Sequence, residues 1–182
     1  MAGGRTEHDD AAVVQRVLQG EVEAFGMLVT RYRTMFGRFA VAQCGDADLA
    51  EDAMQEAFIR AYDGLATCAQ PERFGAWFFR ILRNQCHNHR TRRRAHVALD
   101  AVVTVAPTRT EDRAERGELR ARIETALEHL SADQREAFVM HHVEGRSYAE
   151  MASLLGARED RLRMRVHRAR DAVRQELEDE HG

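Results

Sequence analysis

The sequence predicts an all-α fold of two small helical domains joined by a flexible linker. Proline occurs only at Pro71 and Pro107 in 182 residues, so long helices are permitted almost everywhere. Apolar residues recur at three- and four-residue spacing through most of the chain, and a continuous run of β-branched residues stands out only at 102–105. These observations favour helices throughout.

A break in the periodicity separates the two expected domains. Residues 95–116 contain the valine-rich run, Pro107 and several threonines, but no helical repeat of apolar residues. The expected limits are 1–95 for the first domain, 96–117 for the linker and 118–182 for the second domain.

Glycine, aspartate and proline set the limits of the helices expected in the first domain. Gly20 and Gly45 are typical helix ends, Asp46 or Asp48 can cap the third helix, and Pro71 suits the first position of the fourth. The expected elements are helices at 11–19, 22–42, 46–65 and 71–94, with a loop at 66–70.

Four more helices are expected in the second domain. Two capping boxes begin at Ser131 and Ser147, each with Gln or Glu three residues later. Gly145 and Gly156 end the helices that these boxes begin. The expected helices are 119–130, 131–143, 147–155 and 159–177, and the buried stripe of the last consists of Leu162, Val166, Ala169, Val173 and Leu177.

Charge is divided unevenly along the chain. The formal net charge is −3, and all 27 basic residues are arginine. Residues 1–72 carry 6 arginines against 12 acids, whereas residues 73–99 carry 7 arginines and no acid. Residues 158–174 carry 7 arginines against 3 acids. Two basic segments in an otherwise acidic chain indicate contact with phosphates at two places.

The last two helices have the pattern of a helix-turn-helix. A short capped helix is followed by a tight turn at Gly156 and by a basic helix with one apolar stripe. In this motif the second helix enters the major groove of DNA, where the planar fork of arginine matches two acceptors of guanine. Many DNA-binding regulators share this pattern.

Longer motifs lie on these helices. The second domain contains ALEHLS and EAF within 126–138, EGRSYAEMA at 144–152 and HRAR at 167–170. The first domain contains EDAMQEAFIRAY at 51–62, FGAWFFRILRN at 74–84 and three arginines at 92–94. The former resemble region 4 of extracytoplasmic-function (ECF) sigma factors of the sigma-70 family, and the latter resemble regions 2.2, 2.3 and 2.4. The resemblance covers nearly the whole chain in the order of the family.

The resemblance implies a specificity subunit of RNA polymerase with no catalytic residues of its own. The first domain would bind the core enzyme and melt the −10 promoter element, and the second would bind the −35 element. The linker would run towards the active-site channel. Expected partners are the β′ and β subunits of the polymerase core, promoter DNA and an anti-sigma factor.

Site residues follow from the resemblance and the helical spacing. Asp52 and Glu56 lie one turn apart with Gln55 beside them, and in the family this acidic edge docks on the coiled coil of β′. The expected polymerase-binding residues are Asp52, Gln55, Glu56 and Arg60. Those expected at the −10 element are Trp77, Arg80, Arg83, Asn84, Asn88, Arg90, Arg92, Arg93 and Arg94. Those expected at the −35 element are Arg161, Arg163, Met164, Arg165, His167 and Arg168. The loop at 67–72 would hold an unpaired base.

The chain departs from the family pattern at the start of the expected recognition helix. A Gly-Thr-Val-Lys/Arg-Ser-Arg run is common there, whereas this chain has Asp160-Arg161-Leu162-Arg163-Met164-Arg165. Glu159 and Asp160 suit a helix N-terminus but repel phosphate, and Met164 replaces a small polar residue. We expect an altered or weakened −35 contact. Asn88 also stands where an aspartate is common.

Two other functions fit parts of the sequence. A helix-turn-helix regulator that acts without polymerase would explain the second domain but neither the acidic helix nor the aromatic and basic one. A metal-dependent hydrolase could use Asp48, Asp52 and Glu56, yet no histidine lies at ligand spacing from them and no HExxH motif occurs.

No cofactor, metal or membrane is expected. Cys44, Cys68 and Cys86 form no CxxC pair, and the side chains of Cys86, His87 and His89 diverge on one helix. No apolar run approaches the ~20 residues of a membrane helix, and the first ten residues lack the apolar core of a signal peptide. A cytoplasmic location is expected.

Overall fold

The computed structural model describes the backbone of residues 3–99, 122–123 and 125–179, and the side chains of 9–93, 122–123 and 125–178. Every regular element within these residues is helical, as the sequence predicts. The expected linker at 96–117 lies outside the described residues apart from 96–99, which continue the last helix of the first domain.

Four helices build the first domain. Two of their limits fall at residues that the sequence singles out, whereas the first helix begins before the expected residue 11, and 3-10 turns at 22–24 and 71–73 precede the second and fourth helices. Gly45 has φ +74° and ends the second helix, and the carboxylate of Asp46 accepts a hydrogen bond from Leu49 N (3.0 Å) to begin the third. The helices are α1 (Gly3–Leu18), α2 (Phe25–Cys44), α3 (Ala47–Asp63) and α4 (Phe74–Leu99), with 3-10 turns at Val22–Ala24, Leu65–Thr67 and Pro71–Arg73.

Aromatic side chains form the core of the first domain. Phe78 of α4 stacks on Phe58 of α3, with ring centroids 4.5 Å apart, and Phe79 lies 4.9 Å from Phe36 of α2. Phe36, Phe78 and Phe79 are at most 1% exposed. Complete burial of each such ring stabilises the fold by roughly 1.5–3 kcal/mol, so this cluster fixes the rotation of α4 against α2 and α3.

The described part of the second domain includes helical residues at 122–123 and 125–129 and contains both predicted capping boxes. The side chains of Ser131 and Ser147 each accept from the backbone N–H three residues later, and Gln134 and Glu150 bond back to the serine N–H. The elements that follow are α5 (Ala132–Phe138), a π-helix (Val139–Val143), α6 (Tyr148–Leu155) and α7 (Glu159–Asp179).

The π-helix is a local difference from the single helix predicted for 131–143. Its wider turn carries the bond from Glu144 N to Val139 O (3.0 Å). The widened end presents Val143 O to the guanidinium of Arg38 in the first domain, 2.6 Å away. Helical periodicity carries no information on contacts between domains, so the sequence did not predict this π-helix.

The buried stripe predicted for the last helix is confirmed at four of its positions. Leu162, Val166, Ala169 and Val173 of α7 are at most 7% exposed, and Leu177 is partly buried beside them. Ala169 and Val173 pack on a small apolar cluster with Leu127 and Leu130. The opposite face of α7 is exposed and carries arginines.

The two domains share one hydrophobic core. Ala137, Val139, Met140 and Met151 of the second domain lie in the same buried cluster as Phe36 of the first. No helix within the described residues has the length and hydropathy to cross a bilayer.

Gly75 is required by a close approach between α4 and α2. A Cβ at this position would lie 2.7 Å from the hydroxyl oxygen of Tyr32, which is 4% exposed and donates to the buried carboxylate of Asp10. Burial raises the pKa of Asp10, and its bonds to Tyr32 and Arg31 oppose that rise. The hydroxyl of Tyr32 is therefore confined between Gly75 of α4 and the carboxylate of Asp10.

We predict that Gly75→Ala lowers the free energy of unfolding by about 1–3 kcal/mol, because the added methyl overpacks a fixed ring. Gly37→Ala on α2 is the control, since a Cβ there meets nothing within 4 Å. This control should be neutral or stabilising by up to about 1 kcal/mol. Urea unfolding measures both variants, and equal stability of the two would contradict the prediction.

Candidate protein-binding and nucleic-acid interfaces

The expected polymerase-binding residues form one edge of α3. Asp52, Gln55 and Arg60 are exposed, and Glu56 is partly buried. Asp52, Gln55 and Glu56 are spaced by three and four residues, so they share a face of the helix. The structure thus brings these side chains together as the sequence predicts.

Glu56 also connects this edge to α4. With the side-chain amide of Gln85 oriented to satisfy both neighbours, its nitrogen donates to Glu56 Oε2 (3.0 Å) and its oxygen accepts from Arg60 Nε (2.8 Å). His89 Nε2 lies 3.2 Å from Glu56 Oε1, a close approach without the alignment of a hydrogen bond. Gln85 and His89 are buried, so they hold Glu56 and Arg60 in position.

Two exposed apolar side chains on the same edge were not among the expected polymerase-binding residues. Ile59 is 55% exposed and Tyr62 is 40% exposed. Ile59 follows Asp52 by seven residues, and Tyr62 follows Gln55 by seven, so both continue the acidic face along the helix. Projection of 51–62 on a helical wheel would have found them. Their exposure gives the edge an apolar centre of the kind that protein partners cover.

One face of α4 presents the side chains expected at unpaired DNA. Trp77, Arg80, Asn84 and Asn88 follow one another at three- and four-residue spacing; the last three are exposed and Trp77 is partly buried against Phe74, with ring centroids 5.6 Å apart. This stripe combines an aromatic ring, a cation and two amides. Arg92 and Arg93 are exposed further along α4, whereas the side chain of Arg94 lies outside the described residues.

Arg83 and Arg90 contact the second domain, although Arg83 also lines one cavity with Trp77 and Arg80 of the stripe. Both face the second domain: Arg83 Nη1 lies 3.4 Å from Glu136 Oε2, and Arg90 Nη2 donates to Glu128 O (3.3 Å). Two of the nine residues expected at the −10 element are therefore engaged by the second domain. Spacing along the helix does not predict these partners.

The loop expected to hold an unpaired base lines a cavity of about 330 Å³. Thr67, Gln70, Trp77 and Arg80 form one wall, and residues 153–156 of the second domain form the other. The end of α6 and the turn that follows it thus face this loop across the cavity.

The arginine-rich face of α7 is largely open. Arg161, Arg163, Met164, His167 and Arg168 are exposed, with Met164 at 53%. Arg165 is partly buried and pairs with Asp133 of α5, Nη2 to Oδ2 2.6 Å. The residues predicted for DNA contact are therefore exposed on α7, apart from Arg165, which is anchored to α5.

Glu159 and Asp160, the acids that depart from the family pattern, have partners in or directly before the first turns of α7. Asp160 Oδ1 accepts from Arg161 N (2.9 Å), and Arg158 pairs with the same carboxylate. The bond from the Arg161 N–H lowers the pKa of Asp160, and Arg158 lowers it further. Arg163 lies over the ring of Tyr148, 5.2 Å from its centroid, and 3.9 Å from Glu159. Part of the negative charge at the start of α7 is thereby offset.

Comparison with known proteins decides the family. Models of "Sigma-70 region 2" and "Sigma-70, region 4" match residues 28–96 and 120–173. The ECF RNA polymerase sigma factor SigM of Mycobacterium tuberculosis is 31% identical over 170 residues, which cover 92% of this chain and 84% of SigM. The chain belongs to the ECF group of the sigma-70 family.

Solved structures resemble this sigma factor across both domains. CnrH, in complex with the cytosolic domain of CnrY, is 26% identical with a TM-score of 0.65, over 93% of this chain and 97% of CnrH. The sigma factor RpoE of Bartonella quintana, in complex with the anti-sigma factor NepR, is 27% identical with a TM-score of 0.53, over 90% of this chain and 98% of RpoE.

No group of three or more His, Cys, Asp or Glu side chains in the described part of this sigma factor is arranged to hold a metal ion. Glu56, one of the acids considered for a hydrolase, contacts Gln85 and His89 instead.

Glu136 is a buried carboxyl at the contact between the domains. It is 3% exposed, and burial raises its pKa to about 7, although the neighbouring Arg83 opposes the rise. Its ordinary pKa is 4.5. Between these two values the folded chain binds more protons than the unfolded chain, so stability falls as the pH rises.

We predict that the free energy of unfolding decreases between pH about 4.5 and about 7 by on the order of 2 kcal/mol through Glu136. Glu136→Gln, which stays neutral, should remove this part of the pH dependence. The exposed Glu23 provides the control, as Glu23→Gln should leave the pH profile unchanged. Urea unfolding across this pH range measures the effect, and a Glu136→Gln profile parallel to the wild type would contradict it.

Proposed function

We propose that this sigma factor binds the RNA polymerase core through α3, binds and opens the −10 element through α4, and binds the −35 element through α7. The observation that supports this most directly is the separation of two arginine-rich helix faces, one in each domain, with a distinct acidic and apolar edge on α3. DNA phosphates attract the two basic faces, whereas the α3 edge repels them. We propose domain limits of 1–95 and 118–182, with 96–117 as the linker between them.

The α3 edge suits a protein partner better than a nucleic acid. Asp52 and Glu56 carry negative charge, and Ile59 adds exposed apolar surface between charged neighbours. An interface with an apolar centre and a charged rim gains affinity from the burial of the centre and specificity from the rim. The coiled coil of β′ is the proposed partner, and further contacts with β would follow from the family pattern.

The open stripe of α4 suits unpaired DNA. An exposed strand offers base faces that stack on aromatic rings and phosphates that arginine neutralises. Trp77 and Arg80 supply these two groups, and Asn84 and Asn88 can bond to base edges. We propose that Arg92 and Arg93, with Arg94, contact phosphates beyond this stripe, and that Arg83 and Arg90 join them when the second domain moves away.

The open face of α7 suits the major groove. Arg161 and Arg168 lie seven residues apart, and Met164 lies between them on the same face. The arginines can donate to guanine, whereas Met164 offers an apolar contact of the kind that a thymine methyl accepts. The selectivity of the −35 contact would therefore differ from that of relatives with a small polar residue there.

An anti-sigma factor is the proposed regulator, since RpoE of Bartonella quintana is found with one. We also propose a cytoplasmic location, where promoter DNA and polymerase are available, and a role without catalysis. A regulator that acts without polymerase is the alternative. Such a regulator would not need the acidic and apolar edge of α3. Polymerase binding by variants in this edge therefore distinguishes the two functions.

We predict that Asp52→Ala weakens binding to purified core polymerase by roughly tenfold, because it removes a charge from the rim that the β′ partner is proposed to contact. Glu51→Ala is the matched control: Glu51 is also exposed on α3, but its carboxylate is already paired with Arg33 of α2. Fluorescence anisotropy of the labelled sigma factor titrated with core enzyme measures both. Equal binding by the two variants would refute the assignment of this edge, and no binding by the wild type would favour the alternative.

We predict that Arg168→Ala costs about 1–3 kcal/mol in binding of the holoenzyme to a cognate promoter and relaxes selectivity at one −35 position. The control is Arg174→Ala, which removes an exposed arginine nearer the end of α7 that pairs with Asp171 and Glu178. Binding to a library of promoters with varied −35 elements measures selectivity. If Arg174→Ala relaxes the same position as strongly, α7 does not bind DNA in the proposed orientation.

A further inference from the structure

The aromatic contacts between α2 and α4 fix which residues of the two helices meet. Tyr32 lies 5.3 Å from Phe74 between ring centroids, and Phe36 lies 4.9 Å from Phe79. Both members of the second pair lie further along their helices than those of the first. The two helices therefore run in the same direction, and residues at similar distances beyond Phe36 and Phe79 face each other.

Cys44 and Cys86 meet two turns beyond the second aromatic pair. Cys44 follows Phe36 by eight residues and Cys86 follows Phe79 by seven, spacings that return to the same face of each helix. The Cys86 thiol lies within hydrogen-bonding reach of the Cys44 sulfur. The two residues are 3% and 0% exposed and belong to one apolar cluster. A pair of thiols thus lies in the contact between α2 and α4.

Cys68 is also buried, but its thiol has a different neighbour. Its sulfur lies 3.7 Å from the carbonyl oxygen of Gln70, in the loop before α4, and burial raises its pKa. A buried thiol of this kind behaves as a small apolar side chain. A thiol beside a second thiol has one reaction more, because the two sulfurs can form a disulfide. Cys68 is therefore an internal control for the pair.

The surroundings of the pair favour a thiolate at Cys44. The hydrogen bond from Cys86 lowers the pKa of Cys44; burial opposes this fall, and the positive charge of Arg135 supports it. The same bond, together with burial, raises the pKa of Cys86, which keeps its proton. Arg135 approaches from α5, where its Nη2 donates to Ala42 O (3.0 Å) near the end of α2. The thiolate is the nucleophilic form of cysteine, so Cys44 is the more reactive of the two sulfurs.

We propose that Cys44 and Cys86 form a site of reversible oxidation by hydrogen peroxide, with Cys44 as the attacking sulfur and Cys86 as the resolving one. The Cys44 thiolate attacks one oxygen of the peroxide and the O–O bond breaks. The other oxygen leaves as hydroxide and takes up a proton to become water, and Cys44 is oxidised to a sulfenic acid. The Cys86 sulfur then attacks the Cys44 sulfur and loses its proton, and the sulfenic oxygen leaves as water. Two thiols are oxidised to one disulfide, and one peroxide is reduced to two waters.

The disulfide would join α2 to α4 within the first domain. It constrains the unfolded chain between the two cysteines, so the oxidised protein should resist urea better than the reduced one. Entry of the peroxide requires a local opening. Cys44 is the last residue of α2, followed by Gly45 in the left-handed conformation, and helix ends open more readily than helix centres. The inference concerns the first domain alone and does not rest on the proposed function.

Peptide mapping of the wild-type chain tests the site without any substitution. The folded protein is treated with hydrogen peroxide, its remaining thiols are alkylated, and it is digested with trypsin. Cleavage after arginine places Cys44, Cys68 and Cys86 in separate peptides, 39–60, 61–73 and 84–90. We expect a disulfide between 39–60 and 84–90 that dithiothreitol removes, with 61–73 alkylated. The Cys44 thiol should be lost about tenfold faster than that of Cys68.

Three variants separate the roles of the sulfurs. Cys86→Ser should leave Cys44 as a sulfenic acid that dimedone traps, whereas Cys44→Ser should leave Cys86 unreacted. Cys68→Ser is the matched control and should form the disulfide as the wild type does. Urea unfolding checks that each variant is folded, and it should show a higher midpoint for the oxidised wild type than for the reduced one.

Three results would overturn the proposal. One is a disulfide that includes peptide 61–73, and another is loss of the three thiols at equal rates. The third is a wild-type chain whose link between 39–60 and 84–90 forms only after unfolding in urea.

Discussion

The burial of one side of α4 constrains the rest of this sigma factor. Phe78 and Leu82 are fully buried against α2 and α3, so the helix cannot rotate without loss of several kcal/mol of apolar burial. The burial of this side therefore also fixes the directions in which the other faces of α4 point. One presents Arg80 and Asn84 to solvent, and the other directs Arg83 towards Glu136. A single helix thereby serves the core, the proposed DNA surface and the contact between domains.

The same constraint ties the α3 edge to α4. Gln85 and His89 are buried on α4, yet both contact Glu56, and Gln85 also contacts Arg60. The side chains proposed for polymerase and those proposed for unpaired DNA are therefore carried by one rigid unit. Rigid placement of the two surfaces reduces the conformational entropy lost when both bind at once.

Local chemistry made most of the fold predictable. Several helix ends are set locally, through the backbone conformation of one residue or through its bonds to residues at most three positions away. The sequence alone therefore located the helix ends at Gly45, Asp46, Ser131 and Ser147. The apolar stripe of α7 followed from periodicity in the same way. The exposed faces of α3, α4 and α7 were predictable for the same reason, with Ile59 overlooked.

The contacts between domains were not predictable, because they join residues distant along the chain. Arg83 and Glu136 are separated by 53 positions, and no spacing rule links them. The π-helix at Val139–Val143 was unpredictable for the same reason, since it contacts Arg38.

Substitution of a photoreactive residue for Asn84 or for Met164, in a holoenzyme on a promoter, tests whether α4 and α7 bind the two promoter elements. We expect Asn84 to crosslink to the single-stranded −10 segment and Met164 to the −35 segment. Crosslinks of both positions to one segment, or of neither to DNA, would contradict this assignment.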